Sequence, residues 1–140
     1  DGEVYDPNTD SWNPLAPMGR GRSSSAAAAI DGFIYVVGGK LWRIDGKDEI
    51  YADLERYCPE PNTWTKLTPM KIARSSPTVA VSCGTLYVCG GWGENGRFSN
   101  SVERYDPTKD EWEEMAPMSG QWRKIVCSVP VPASLPTPLM

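Results

Sequence analysis

One motif occurs three times along this chain of 140 residues, and that repetition constrains the fold more than any other feature. In each copy a Tyr stands seven residues before a Trp, and the Met of a Pro-Met pair follows that Trp by six residues. The aligned positions are Tyr5, Tyr57 and Tyr105, then Trp12, Trp64 and Trp112, then Met18, Met70 and Met118. A unit repeated at a period of 52 and then 48 residues buries its apolar surface by stacking on its neighbours. The sequence therefore predicts a repeat architecture.

A second repeated block ends in a glycine pair and indicates that each unit is built from β-strands. Residues 34–39 match residues 86–91, and both blocks are β-branched and aromatic before Gly-Gly. The second copy predicts four strands, at residues 78–82, 85–89, 101–105 and 111–115. In the first copy, Asp31-Gly32 separates predicted strands at residues 24–30 and 33–37, and Asp-Gly is a strong signal for a two-residue hairpin.

The residue types at these strands fit the blades of a β-propeller. The run Ala26 to Ala29 favours a helix by propensity alone, but three of the four aligned residues 78–81 are β-branched and predict a strand. Small side chains suit strands crowded near a propeller axis, and the repeated Trp and Tyr supply bulk to the outer strands, so we interpret those rings as packing residues. We predict an all-β propeller fragment with about two complete four-stranded blades plus partial blades at each end.

The composition argues against several classes of function. A net charge of −4 does not provide the basic stripe that nucleic acid or an anionic membrane surface requires. The chain has no histidine, which removes the commonest general base and histidine-ligated copper or zinc, so we expect no catalysis and no cofactor. Its four cysteines form no C-x-x-C pair and are interpreted as free thiols in a reducing compartment, which predicts a cytoplasmic protein.

The Gly-Gly pairs, the Tyr-Asp-Pro triplets and the spaced Trp together resemble the Kelch family over about residues 1–128. Within it, residues 100–107 (Asn-Ser-Val-Glu-Arg-Tyr-Asp-Pro) and the Ala-Pro-Met at residues 116–118 are similar to BTB–Kelch proteins. That resemblance implies a non-enzymatic propeller that binds a protein substrate for a cullin-RING ubiquitin ligase. The cullin would be held by BTB and BACK domains that are not in this chain. The alternative within the family is a cytoskeletal scaffold that binds actin.

The repeat register divides the chain into five segments. Residues 1–22 are predicted to form the second half of a repeat, residues 23–73 and 74–122 one repeat each, residues 123–131 an inner strand that closes a ring, and residues 132–140 a Pro-rich tail. A segment of this kind leaves blade faces and strand edges open. We therefore expect the isolated chain to be marginally soluble.

Two types of loop are the candidate binding sites, because the family uses both to build its recognition face. Loops after Gly-Gly, at residues 40–51 and 92–100, offer large rings and Arg, which are the usual anchors of protein interfaces. Junctions between repeats carry an Arg-Ser pair that grips acidic segments in some family members. The candidate residues are Trp42, Arg43, Trp92, Arg97 and Phe98 in the loops, and Arg22, Ser23, Arg74, Ser75, Trp122 and Arg123 at the junctions.

The repeated Arg has two open interpretations. In the first, it binds an acidic partner, and replacing Arg74 by Ala weakens the binding of a ligand that carries a carboxylate. In the second, it bonds backbone carbonyls where two blades meet.

Overall fold

The computed structural model describes residues 2–120, and the regular structure in that range consists of β-strands. The strands are β1 (Glu3–Asp6), β2 (Ser11–Pro14), β3 (Ala26–Ile30), β4 (Phe33–Val37), β5 (Lys40–Leu41), β6 (Glu49–Ile50), β7 (Leu54–Cys58), β8 (Thr63–Leu67), β9 (Thr78–Ser82), β10 (Thr85–Cys89), β11 (Val102–Asp106) and β12 (Glu111–Met115). Two antiparallel four-stranded sheets form, in the orders β3-β4-β7-β8 and β9-β10-β11-β12. We call them the first and second blades, and we call the β1–β2 hairpin the half-blade. The all-β propeller prediction is confirmed.

The hairpins that open the two blades have the geometry expected from their turn residues. Asp31 and Gly32 have φ angles of 49° and 81°, and Cys83 and Gly84 have φ angles of 49° and 71°. Positive φ at both central residues is the conformation whose twist matches antiparallel strands. The predicted Asp-Gly hairpin is confirmed, and the Ala-rich run is the strand β3 and not a helix.

The core lies between the two blades. The inner strands β3 and β9 lie side by side, and their small side chains allow this approach. Behind them, buried residues of both blades form one apolar cluster, to which Leu54 and Val37 contribute from one side and Leu86 and Val88 from the other. Each of these four side chains is removed almost completely from water, which stabilises the interface between blades by about 1.5–3 kcal/mol per side chain.

The outer strands of each blade hold the linker that arrives from the preceding blade. Trp64 Nε1 donates to the Ala16 carbonyl at 2.7 Å, and Trp112 Nε1 donates to the Thr68 carbonyl at 2.7 Å. The backbone N–H groups of Ala16 and Thr68 donate to side-chain oxygens of Asn62 and Asp110, at 2.8 and 2.9 Å. The predicted packing role of the two Trp residues is thereby confirmed.

The aromatic residues of the half-blade differ from their repeats. Trp12 is 64% exposed and Tyr5 is 43% exposed, whereas Tyr57 and Tyr105 are 5% and 1% exposed. Within residues 2–120 the half-blade consists of β1 and β2 alone, whereas the strands that carry Tyr57 and Tyr105 are paired to the inner hairpins of their blades.

Three details of the strand prediction differ from the structure. The first strand of the first blade, β3, begins at Ala26 and not at residue 24. The third strand of the second blade, β11, begins one residue later than predicted, at Val102. The loop after the first Gly-Gly contains the short hairpin β5–β6, which no alternating pattern signalled. The predicted closing strand at residues 123–131 and the tail at residues 132–140 lie outside the described residues. Across residues 2–120 there is no helix whose length and apolar character suit a membrane span.

Candidate binding surface

The two loop types selected from the sequence are fastened together by the same contact in both blades. Ser23 and Lys40 exchange two backbone hydrogen bonds, at 2.9 and 2.8 Å, and Ser75 and Trp92 do so at 2.9 and 2.7 Å. Each pair joins a junction residue to the first residue after Gly-Gly. The junctions and the loops therefore form one surface at one end of the blades.

The glycine pairs allow this fastening. Gly39 and Gly91 have φ angles of 99° and 92°, which side chains with a Cβ rarely adopt. A Cβ on Gly39 would meet the Ser23 carbonyl oxygen at 2.8 Å, and a Cβ on Gly91 would meet the Ser75 carbonyl oxygen at 2.9 Å. The repeated Gly-Gly thus permits the close approach between each junction and the loop that follows the glycine pair.

The loop of the first blade presents a tryptophan on a charged support. The ammonium of Lys40 lies 3.7 Å from the ring centroid of Trp42 and donates to Asp48 Oδ2 at 2.6 Å. This bond from Lys40 holds the pKa of Asp48 below its usual value, so the pair is charged near neutral pH. Trp42 is nevertheless 69% exposed, and its ring is available to a partner.

The loop of the second blade is a tight turn with an aromatic pair at its base. The rings of Trp92 and Phe98 meet edge to face with centroids 4.7 Å apart, and the two residues pair across the loop. The turn is closed by bonds from Gly93 N to the Arg97 carbonyl and from Arg97 N to Asn95 Oδ1, at 2.9 and 3.0 Å. The Arg97 side chain is exposed and lines a further recess of about 490 Å³, together with Lys71 and Phe98.

A groove of about 710 Å³ separates the two loops. Lys40, Arg43 and Asp48 line it from the first blade, and Trp92 and Glu94 line it from the second. A neighbouring recess of about 390 Å³ lies over the inner end of the blades and is lined by Ser24, Lys40, Trp42, Ser75, Ser76, Trp92 and Phe98. We refer to the groove, the recess and these two loops together as the loop surface.

The structure separates the predicted junction residues from the loop surface according to their burial. Arg74 is fully buried, and its Nη1 donates to the carbonyls of Gly90 and Ser101 at 2.9 and 3.2 Å. Its Nη2 donates to Glu103 Oε1 at 2.7 Å. The side chain of Arg22 is equally buried and donates to Glu55 and to the Gly38 carbonyl.

This geometry corrects the placement of Arg22 and Arg74 among the candidate contacts. Both guanidinium groups bond backbone carbonyls and a buried carboxylate where blades meet. This arrangement matches the second interpretation of the repeated Arg, in which it stabilises the junction between blades. Neither reaches a ligand without leaving those partners. Ser75 is 3% exposed and Ser23 is half-buried, so both take part chiefly through their backbone bridges.

The loops bring Trp42, Arg43, Trp92, Arg97 and Phe98 to the loop surface. Trp122 and Arg123 lie outside the described residues. Sequence reasoning did not select Lys40, Asp48 or Ser24. Ser24 and Ser76 are exposed, have φ angles of 55° and 53°, and follow the bridging Ser in each copy, so the Ser-Ser pair after Arg was a usable signal.

The described residues offer little reactive chemistry. Residues 2–120 contain no group of three or more Cys, Asp or Glu side chains placed to hold a metal ion. Cys58, Cys83 and Cys89 are free thiols, as predicted, and Cys127 lies outside the described range. Burial raises the pKa of the Cys89 thiol, which disfavours the reactive thiolate. What the loop surface provides is aromatic area, hydroxyl groups and paired charges.

Comparison with known proteins places this repeat among described families. A family model for the Kelch motif matches residues 21–71 and again residues 73–119. The chain belongs to the Kelch family. Among curated relatives of this Kelch chain, Kelch-like protein 35 of Mus musculus is 34% identical over 114 residues, covering 81% of this chain and 19% of that protein. Beta-scruin of Limulus polyphemus is 38% identical over 116 residues, covering 81% of this chain and 13% of that protein.

The fold of the Kelch chain also matches a known structure. The structure of YjhT superposes with a TM-score of 0.70 at 22% identity, covering 78% of this chain and 42% of that one. At that identity the likeness shows the fold alone. The Kelch chain spans about a fifth or less of the length of the curated relatives it matches.

Proposed function

We propose that this Kelch chain is a non-enzymatic protein-binding segment of a propeller, and that it holds a peptide segment of its partner on the loop surface. One observation carries the proposal: two loops of unrelated sequence, fastened to a repeated scaffold by the same Ser bridge, bring Trp42, Trp92 and Phe98 around one recess. A rigid scaffold that carries variable loops is the usual arrangement for recognition.

The apolar side chains of the loop surface are placed to contribute to the binding of a partner and not to the stability of the blades. Trp42 is 69% exposed and Ile44 is fully exposed, so neither contributes its apolar area to the blade core. Large rings that a partner desolvates supply much of the free energy of protein interfaces. The Lys40–Asp48 pair limits the motion of the Trp42 ring, which lowers the entropy cost of binding.

An acidic partner would have to be bound by cations other than Arg22 and Arg74. Because Arg22 and Arg74 are committed to buried carboxylates, the exposed cations of the loop surface are Arg43, Lys47 and Arg97. Arg43 lies 3.4 Å from Asp45, and Arg97 lines a recess beside Phe98, so Arg97 is the residue we expect to meet a partner carboxylate.

At the level of the whole protein, we propose a cytoplasmic substrate-recognition role in a BTB–Kelch adaptor for a cullin-RING ubiquitin ligase. The Kelch-like relatives support this proposal. The cullin contact would belong to domains outside this chain. The actin-binding scaffold is retained as the second candidate, because Beta-scruin is as similar to this chain as the Kelch-like proteins are.

The test of the loop surface is affinity capture with the full-length protein, followed by mass spectrometry. We expect Trp42→Ala and Arg97→Ala to reduce recovery of the partner at least tenfold, with Lys109→Ala as a matched control because Lys109 is an exposed cation in the turn between β11 and β12. Equal recovery by the Trp42 variant and the native protein, with unchanged thermal melting, would refute the site.

The same preparation distinguishes the two cellular roles. Recovery of a cullin supports the adaptor, and cosedimentation with actin filaments supports the scaffold. If Arg97→Ala abolishes cosedimentation while no cullin is recovered, the second candidate replaces the first.

A further inference from the structure

The recess of about 390 Å³ on the loop surface is lined without a carboxylate, and we call it the Ser-Trp recess. Its lining combines hydroxyl groups, aromatic rings and one ammonium, from Ser24, Lys40, Trp42, Ser75, Ser76, Trp92 and Phe98. The neighbouring groove differs, because it is lined by the carboxylates of Asp45, Asp48, Glu49 and Glu94. These two parts of the loop surface therefore suit ligands of different chemistry.

The one cation that lines the Ser-Trp recess is already neutralised. Lys40 Nζ donates to Asp48 Oδ2 at 2.6 Å and lies over the ring of Trp42. Arg97 lines the separate recess of about 490 Å³. Burial of a charge that has no counter-ion is costly, so the segment that enters the Ser-Trp recess is neutral.

The backbone that joins the two blades beside the Ser-Trp recess has no free edge to offer. Ser75 and Trp92 exchange two hydrogen bonds, at 2.9 and 2.7 Å, and Ser76 N donates to the Ser24 carbonyl at 2.7 Å. A partner that adds a strand needs a row of backbone groups that are not already paired. The recess therefore binds its ligand through side chains.

The side-chain groups that remain free in the Ser-Trp recess can all donate hydrogen bonds. Within residues 2–120 the indole N–H groups of Trp42 and Trp92 make no hydrogen bond, whereas those of the outer strands donate to linker carbonyls. In the same range the hydroxyls of Ser24 and Ser76 have no partner, and both residues are exposed. An indole N–H only donates, and a hydroxyl donates as readily as it accepts. A matching ligand therefore supplies carbonyl groups and few N–H groups.

Proline residues supply this combination. Proline keeps its carbonyl but has no backbone N–H, and a proline-rich segment in the polyproline II conformation forms no internal hydrogen bonds. Segments of this kind bind in grooves lined by aromatic side chains. Trp42 and Trp92 are 69% and 38% exposed, so both rings have surface that a proline ring can cover.

We propose that the Ser-Trp recess binds a neutral, extended segment of the partner that contains proline. The rings of Trp42 and Trp92 pack on the proline rings, and the hydroxyls of Ser24 and Ser76 donate to carbonyls of the segment. The carboxylate expected at Arg97 belongs to another part of the partner. This inference rests on the proposed function, because it specifies the chemistry of the segment that the loop surface holds.

Selection of short random peptides from a display library, with the full-length protein as bait, tests this chemistry. We expect the selected peptides to be enriched in proline relative to the library. The enrichment should be lost when the selection is repeated on Trp42→Ala. Lys109→Ala is the control, because Lys109 is exposed in the turn between β11 and β12, and it should select the same prolines.

The outcomes separate this inference from the proposed function. Peptides that require Trp42 but contain no more proline than the library overturn this inference and leave the proposed function standing. If no selected peptide requires Trp42, both are overturned.

Calorimetric titration with one selected peptide then tests the individual contacts. Ser24→Gly and Ser76→Gly each remove one hydroxyl, and glycine tolerates the φ angles of 55° and 53° at these positions. Each variant should bind the peptide about two- to tenfold more weakly, the usual effect of losing one hydrogen bond. Thr65→Gly removes an exposed hydroxyl from the outer strand β8 and should leave the affinity unchanged.

Replacing the prolines of the same peptide by Ala provides the complementary test. The replacement removes the rings and restores N–H groups for which the Ser-Trp recess has no carboxylate acceptor, so binding should weaken. Unchanged affinity of this peptide for the native protein overturns the proposal. Unchanged affinity of the native peptide for both Ser variants, with thermal melting that shows them folded, overturns it as well.

Discussion

The guanidinium of Arg74 donates to the carboxylate of Glu103 at 2.7 Å, and neither side chain has any exposed surface. Glu103 also accepts from the N–H groups of Lys71 and Ile72, at 2.8 and 3.3 Å. Arg22 and Glu55 repeat the ion pair one blade earlier. The pair therefore fixes the path of the chain as it passes from one blade to the next.

We expect Arg74→Ala to lower the free energy of unfolding by about 3–5 kcal/mol, because it leaves the Glu103 carboxylate buried without its counter-ion. Urea denaturation followed by tryptophan fluorescence measures the change. Arg97→Ala, which removes an exposed Arg, should change stability by less than about 0.5 kcal/mol. Comparable stability of the Arg74 variant and the native chain would contradict the structural role.

Replacement of Gly91 by Ala should destabilise the fold and disturb the loop surface. The backbone at φ 92° costs about 1–3 kcal/mol for a residue with a Cβ, and the contact of 2.9 Å with the Ser75 carbonyl adds to that cost. Gly21→Ala is the matched control, because a Cβ there meets no atom within 4 Å. Thermal melting of both variants tests this prediction, and equal melting temperatures would refute it.

Tyr105 should ionise only well above the range of an exposed tyrosine. Burial raises the pKa of Tyr105, and its hydrogen bond to Asp110 at 2.6 Å raises it further. A raised pKa in the folded state means that the native chain holds this proton more tightly than the unfolded chain does. The resulting stabilisation is complete below about pH 10, the ordinary value, and is lost as the pH rises through the higher folded pKa.

Tyrosinate absorbance during an alkaline titration, combined with urea denaturation at each pH, measures both effects. Tyr105→Phe should remove the tyrosine that ionises at the highest pH, and the stability of this variant should fall less steeply above about pH 10. Titration of all tyrosines together at the ordinary value in the folded chain would contradict the prediction.

Trp112→Phe should cost about 1 kcal/mol of stability beyond the loss of packing, because it removes the bond from Nε1 to the Thr68 carbonyl. Trp42→Phe removes an exposed indole on the loop surface and should leave stability nearly unchanged. Equilibrium denaturation of the two variants gives the comparison. A larger loss for Trp42 than for Trp112 would overturn the assignment of these two rings.

The strands and turns were predictable because their signals are local. Asp31-Gly32 sets its turn through the φ preferences of two adjacent residues, and the alternation in residues 85–89 sets a strand through its own side chains. The β5–β6 hairpin was not predictable, since it is held by the Lys40–Asp48 ion pair across the loop and not by a repeated pattern.

The candidate site was only partly predictable, and the repeated Arg shows why. Its sequence position marks a junction between blades in either interpretation. Whether its guanidinium meets solvent or Glu103 depends on a residue 29 positions further along the chain. The aromatic loop residues were easier to select, because Trp42 is not one of the positions that repeat from copy to copy.

The sequence by itself determined the repeat, its strand content and the Kelch family, because the signature residues form hydrogen bonds and pack in the same way in both complete blades. Only the tertiary structure decided which of those residues remain available to a partner. It buried Arg22 and Arg74 against carboxylates, fastened Ser23 to Lys40 and Ser75 to Trp92, and left Trp42 exposed. The physical reason is that burial and charge pairing depend on contacts between blades, which link residues far apart in the chain.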